Sequence, residues 1–199
     1  NSILGNYQEA ANHLNKLLNL APNYSEVGLL SGKNLVGLNQ FKSALPHLEK
    51  AVQQQPDSFE AQFYLGLNLI RLNGSADAIA PFQKAVKIKP ESALTFNHLG
   101  QTYQKLKMYP EAIFSYKQAI RIEPNFTDAY NQLGTLYTFQ KNYEMAIKMF
   151  RDAIQSNNDF QEGYINLGMV YGILGRHPAA LHALGLHPAR HILLDRRRA

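Results

Sequence analysis

The 199-residue sequence predicts an all-α solenoid assembled from one repeated pair of antiparallel helices. Columns of residues at a fixed 34-residue period carry this prediction, because such a period marks an array of one small unit. Proline stands at Pro22, Pro56, Pro90 and Pro124, and Asn158 occupies the next place. The glycine column, Gly32, Gly66, Gly100, Gly134 and Gly168, is unbroken. Twelve residues after each glycine comes an alanine, at Ala44, Ala78, Ala112, Ala146 and Ala180, with Ala10 heading the column. A second small column follows at Ala51, Ala85, Ala119 and Ala153.

Residues 1–22 read as a half repeat, a lone second helix from Ser2 to Leu20 with an apolar face of Tyr7, Ala10, Leu14 and Leu17. Full repeats are expected at 25–56, 59–90, 93–124 and 127–158. In the repeat 59–90 the second helix, Ala76 to Lys87, is expected to be capped by Ser75 and to bend at Pro81. That proline lies past the first turn, removes one hydrogen bond and crowds the carbonyl of Asp77. In the repeat 93–124, apolar residues fall at Phe96, Leu99, Gly100 and Tyr103, then at Ala112, Ile113, Tyr116, Ala119 and Ile120. Both sets follow the three-and-four spacing of one helical face. The break at Leu106 to Tyr109 is short enough only for a tight turn, and Pro110 suits the first turn of the helix that follows. Gly100 and Ala112 are expected to face each other, where a larger side chain would overpack by roughly 1–3 kcal/mol. Prolines such as Pro90 and Pro124 close each pair. No single pair buries its apolar face, so neighbours must stack. The repeat 161–184 is incomplete or divergent, with a damaged second helix.

These columns resemble the tetratricopeptide repeat (TPR) family: Leu99-Gly100, Tyr103, Ala112, Tyr116, Ala119 and Pro124 stand at its motif spacing. So do Tyr130, Leu133-Gly134, Tyr137, Ala146, Phe150 and Ala153. The resemblance covers about Tyr7 to Leu184. The tryptophan favoured by the family is replaced by Phe96, Tyr130 and Tyr164, and by Gly28 and Gln62 in the early repeats. The resemblance implies a right-handed superhelix whose first helices line a concave groove for a peptide or partner segment.

The net charge of +5 is concentrated at one end. Up to Gly175, 15 Lys and Arg face 14 Asp and Glu, whereas Arg176, Arg190, Arg196, Arg197 and Arg198 face only Asp195. A near-neutral array without a basic stripe is not expected to bind nucleic acid. The Arg- and His-rich residues 185–199 read either as a divergent end helix or as sequence of vector or reading-frame origin, so no function is assigned to them. The chain begins without Met inside a repeat and so reads as a fragment of a longer protein. Cysteine is absent, which excludes disulfides and thiol catalysis and leaves the compartment open. No apolar run approaches membrane-spanning length, and no signal peptide is visible within these residues, which leaves a preceding segment free to carry one.

No catalytic constellation is found. Of His177, His182, His187 and His191, only the last two have the four-residue spacing of helical metal ligands, and Pro188 lies between them. They read as solvated histidines, and neither a metal nor a cofactor is expected. The carboxylates Glu9 and Glu49 lie in different repeats, the glycines form no phosphate-cradling loop, and no serine has a partnered His and Asp.

The informative surface is the face of the first helices flanking the Leu-Gly columns. Its early part is apolar, with Leu29, Leu30, Lys33, Phe63, Tyr64 and Leu67. Its middle is rich in amides, with Asn97, His98, Gln101 and Gln104, then Asn131, Gln132, Thr135 and Thr138, then Ile165, Asn166 and Met169. An amide offers both donor and acceptor to a peptide backbone, each bond adding about 0.5–1.5 kcal/mol net. Asn97 and Asn131 are expected to be exposed there. The alternative readings are an ordinary soluble surface for the amides and packing on missing repeats for the apolar patch. The Lys and Asn pair by which related domains clamp chaperone carboxyl tails is missing: those positions read Leu29/Lys33, Phe63/Leu67, Asn97/Gln101 and Asn131/Thr135.

The leading functional reading is therefore a non-enzymatic scaffold that holds a protein partner. The alternatives are a substrate-guiding arm of a larger enzyme, similar to the repeat region of O-linked N-acetylglucosamine transferase, and self-assembly through the uncapped ends of the array.

Overall fold

The computed structural model describes residues 2–20 and 25–185, and every element among them is helical. The expectations for Pro22, for His187 and His191 and for the tail beyond Gly185 lie outside the described residues. A single long helix, α1 (Ser2–Leu20), comes first. Five helix pairs follow: α2 (Ser25–Gly37) with α3 (Phe41–Gln54), α4 (Phe59–Arg71) with α5 (Ser75–Ile88), and α6 (Ala93–Lys105) with α7 (Tyr109–Ile122). The last two are α8 (Thr127–Phe139) with α9 (Tyr143–Ser156), and α10 (Gln161–Ile173) with the seven-residue α11 (His177–Ala183). The chain forms two compact parts, residues 1–112 and 113–199, divided within α7.

The small columns are the contact between the helices of a pair. Ala44, Ala78, Ala112 and Ala146 are fully buried. In α2, α4, α8 and α10 the glycine lies closest to a residue other than the alanine of its pair. A Cβ on Gly32 would lie 2.6 Å from Leu48, on Gly66 2.9 Å from Phe82, on Gly134 2.7 Å from Phe150, and on Gly168 2.8 Å from Leu184. The glycine therefore makes room for the large side chain one helical turn beyond the alanine. That column is the centre of the core: Leu48, Phe82, Tyr116 and Phe150 are sealed from solvent, each contributing about 1.5–3 kcal/mol. Burial also pushes the Tyr116 phenol well above its ordinary pKa.

Each pair turns through the same device. The residues at 39, 73, 107, 141 and 175 all have positive φ, near 60°: Asn39, Asn73, Lys107, Lys141 and Gly175. At Lys107 the N–H donates to the Gln104 carbonyl, and the Met108 N–H reaches back to Tyr103, at 3.0 and 2.9 Å. This is the Schellman arrangement, which satisfies the last free carbonyls of a helix. First helices open on caps where the sequence supplies them: Ser58 accepts from the Ala61 N–H and Ser92 from the Thr95 N–H, both at 3.3 Å.

One cap is not where it was expected. Gly74 is the N-cap of α5, and Ser75 lies inside the helix, buried, its hydroxyl without a partner among the described residues. The turn closes one residue earlier than the serine, because the Gly74 N–H completes the loop onto Leu69. The helix α5 continues through Pro81 to Ile88.

Candidate functional site

In residues 1–112 the first helices α2, α4 and α6 carry the predicted apolar-to-amide face. Phe63 is almost fully buried. Its ring stacks on Phe59 at 5.8 Å and meets Tyr64, Phe82 and His98 at 5.5, 6.0 and 5.7 Å. The imidazole of His98 lies flat on Phe82 at 5.9 Å, and its Nδ1 is 3.2 Å from Oε1 of Gln101. One turn on, the Thr102 hydroxyl donates to the His98 carbonyl at 2.7 Å. Gln101 and Gln104 are half-buried beside this cluster. Tyr64 is half-buried and lies under the Lys33 ammonium, 5.0 Å from its ring centre, while Lys33 pairs with Glu60 at 3.4 Å.

In residues 113–199 the site is a hydrogen-bonded set between α8 and α10. Asn131 donates through Nδ2 to the Glu162 carboxylate at 3.0 Å and accepts from Asn166 at 2.9 Å. The exposed Thr135 donates to the Asn131 carbonyl at 3.0 Å, and Gln132 is half-buried next to it. On α10, Ile165, Met169 and Ile173 form an exposed apolar stripe at four-residue spacing.

Two expectations fail here. Asn97 and Asn131 are not exposed: they retain 2% and 3% of their accessible surface. Asn131 lies beneath Glu162 and Asn166 of the next first helix. Leu29 and Phe63, in the same column, are buried as well, Phe63 against the His98 ring. Within each part this column packs one first helix on the next, α2 on α4, α4 on α6 and α8 on α10, while Ile165 of α10 stays exposed. The adjoining column, with Tyr64, His98, Gln132 and Asn166, is half-open. The two columns are one residue apart, about 100° around the helix, and periodicity alone did not separate them.

The structure thus joins Phe63, Tyr64, His98 and Gln101 in one part, and Asn131, Gln132, Thr135 and Asn166 in the other. Asn97 is buried to the same extent as Asn131, but its Oδ1 has no partner among the described residues. Sequence reasoning missed Glu60 and Glu162, which receive Lys33 and Asn131 from the preceding first helix. A signal was present, since Glu26, Glu60, Asp128 and Glu162 form an acidic column at the 34-residue period, broken at Leu94, in the first turn of their helices.

Among the described residues no group of three His, Asp or Glu could hold a metal ion, and no helix is long and apolar enough to cross a membrane. His177 and His182 are exposed on α11.

Helix pairs with close glycine contacts to a large apolar side chain and Schellman turns define a helical repeat protein. Three family models, each described as tetratricopeptide repeat, match residues 29–93, 93–126 and 115–148, and together they run from 29 to 148. The chain belongs to the tetratricopeptide repeat family. Among solved structures it is similar to MamA, with a TM-score of 0.76 and 22% identity over 81% of this chain and 88% of that one. It is similar also to YrrB, described as a TPR protein with an unusual peptide-binding site, with a TM-score of 0.73 and 20% identity over 96% and 100% of the two chains. A third is the MamA segment from residue 41 to the end, from Desulfovibrio magneticus RS-1, at 0.74 and 18% over 87% and 96%. At these identities the likeness shows a shared fold. No protein of curated function matches the chain.

Proposed function

We propose that this chain is a non-enzymatic interaction scaffold whose first helices hold an extended segment of a protein partner. The observation that carries this reading is the pair of half-open amides, Gln132 and Asn166, beside the buried Asn131. Gln132 and Asn166 keep exposed surface on helices whose opposite faces, Leu133 with Tyr137 and Leu167 with Tyr171, are buried. Asn166 is already oriented by its bond to Asn131, so little rotamer freedom remains to be lost on binding. Each amide presents a donor and an acceptor, the pair of functions that an extended backbone requires. The peptide-binding site described for YrrB, on the same fold, is consistent with this use.

The test is selection of a random-peptide library on the chain, with the selected peptide then titrated against the variant Gln132→Ala/Asn166→Ala. Affinity is expected to fall at least fivefold, with a lower melting temperature because the buried Asn131 loses a partner, and Gln132→Ala alone is expected to weaken binding at an unchanged melting temperature. Equal affinity in the double variant would remove the amide column from the binding surface.

A further inference from the structure

We propose that α8 and α10 select an extended partner segment in which basic and apolar side chains alternate. The basic ones meet Asp128 and Glu162, and the apolar ones meet Phe139, Met169 and Ile173. This rests on the extended-segment reading of Gln132 and Asn166 and adds to it the chemistry of the segment itself.

Both helices carry the same graded face. On α8 it runs from Asp128 through Gln132 and Thr135 to Phe139, and on α10 from Glu162 through Asn166 and Met169 to Ile173. Steps of four, three and four residues put each set on one side of its helix. At about 1.5 Å per residue, the acid lies about 6 Å from the amide on one flank and the last apolar residue about 10 Å from it on the other. Asp128, Glu162 and Thr135 are exposed, and Phe139, Met169 and Ile173 keep 67%, 61% and 56% of their surface. The openness belongs to these columns, since Thr135 and Phe139 are exposed on α8 although α9 and α10 both pack against that helix.

Backbone geometry turns this gradient into a sequence preference. A strand bonded to Gln132 and Asn166 aims its N–H and C=O groups at the amides, so its side chains alternate between the two flanks. One flank leads to the carboxylates and the other to the apolar ends. Packed helices lie about 8–10 Å apart and residues two apart in a strand about 7 Å, a difference that flexible basic side chains absorb. The charges are complementary to this placing. Asp128 and Glu162 make no ion pair among the described residues, and neither helix contains a Lys or Arg. Glu162 receives only the neutral amide of Asn131, which leaves its charge uncompensated. Residues 1–112 offer no equivalent face. There Lys33 already pairs with Glu60, Leu94 stands in place of the acid on α6, and the exposed Arg71 and Lys105 replace the apolar ends.

The probe is a labelled, end-blocked hexapeptide of alternating lysine and leucine, titrated against the full chain. Its control is a block peptide of the same composition, three lysines followed by three leucines. The alternating peptide is expected to bind at least fivefold more tightly, and Gln132→Ala should weaken it. Asp128→Asn/Glu162→Gln should weaken it at least fivefold and flatten its salt dependence, while the new glutamine still offers Asn131 an acceptor. Phe139→Ser/Ile173→Ser should weaken it about fivefold and leave the salt dependence in place. Equal affinity for the two peptides, no change on removing the two carboxylates, or no saturation at millimolar peptide would overturn the proposal. If the library-selected peptide still depends on Gln132, the extended-segment reading stands without it; if it does not, both fall. Binding seen only after Arg196→Glu/Arg197→Glu/Arg198→Glu would give the site to the chain's own tail and would overturn the proposal too.

Discussion

At Gly134 two single-residue effects oppose each other and their magnitudes decide the outcome. Alanine is the better helix former by about 0.8–1.0 kcal/mol. Its Cβ, however, would lie 2.7 Å from Cε1 of Phe150, a ring with almost no exposed surface and little room to withdraw. Overpacking of this kind costs roughly 1–3 kcal/mol. Gly134→Ala should therefore lose about 1 kcal/mol, read as a lower urea midpoint with an unchanged slope. A gain in stability would mean that the Phe150 ring has more freedom than its burial indicates. The period exposed this glycine to sequence reading but did not identify its partner, since Ala146 and Phe150 both lie on the face of α9 that packs against α8. The asparagines mark the same limit. Asn97 and Asn131 are polar, so composition assigns them to the surface, yet the column they share with Leu29 and Phe63 lies between helices. Hydrogen bonds to Glu162 and Asn166 make that burial tolerable for Asn131, and sequence spacing does not reveal them.

Among the elements, the turn inside each pair was legible in length and hidden in conformation. Leu106 to Tyr109 leaves room for nothing longer, but only Gly175 among the five equivalent positions advertises a left-handed residue. Asn39 and Asn73 suit that region moderately well, whereas Lys107 and Lys141 occupy it at φ 61° and 60°. A left-handed conformation costs an ordinary L-residue roughly 1–2 kcal/mol. Replacing it by glycine gives back roughly 0.5–1 kcal/mol through the greater freedom of the unfolded chain. Lys107→Gly and Lys141→Gly should each therefore stabilise by about 0.5–1 kcal/mol, and Asn73→Gly by less. Thermal melts of the three variants check the order. A loss at Lys107 or Lys141 would show that the lysine side chain contributes more to the turn than its backbone costs. The capping of α5 belongs to this scale too. A serine beside a glycine was read as the cap, but the Schellman bond from the Gly74 N–H fixes the helix start and leaves Ser75 inside.

For the molecule as a whole, the 34-residue period made the fold class legible, because agreement among many columns outweighs any ambiguous residue. What the period leaves open is how firmly each copy is held. In a repeat array a helix is stabilised by its immediate neighbours, so local stability follows the number of its faces that are covered. The central helices have several: α4 buries Ala61, Phe63 and Leu65, and α8 buries Ala129, Leu133 and Leu136. By contrast, α1 leaves Tyr7, Leu17 and Leu20 open, and α11 has seven residues with Ala183 alone buried. Opening free energies within one protein run from near zero to the global value, and elements with few buried apolar contacts lie at the low end. Hydrogen exchange should consequently separate the helices: amides in α1 and α11 should exchange at least tenfold faster than those in α4 and α8. A single common rate across all of them would mean that the array unfolds only as one cooperative body, and that covered faces do not set the local stability of its helices.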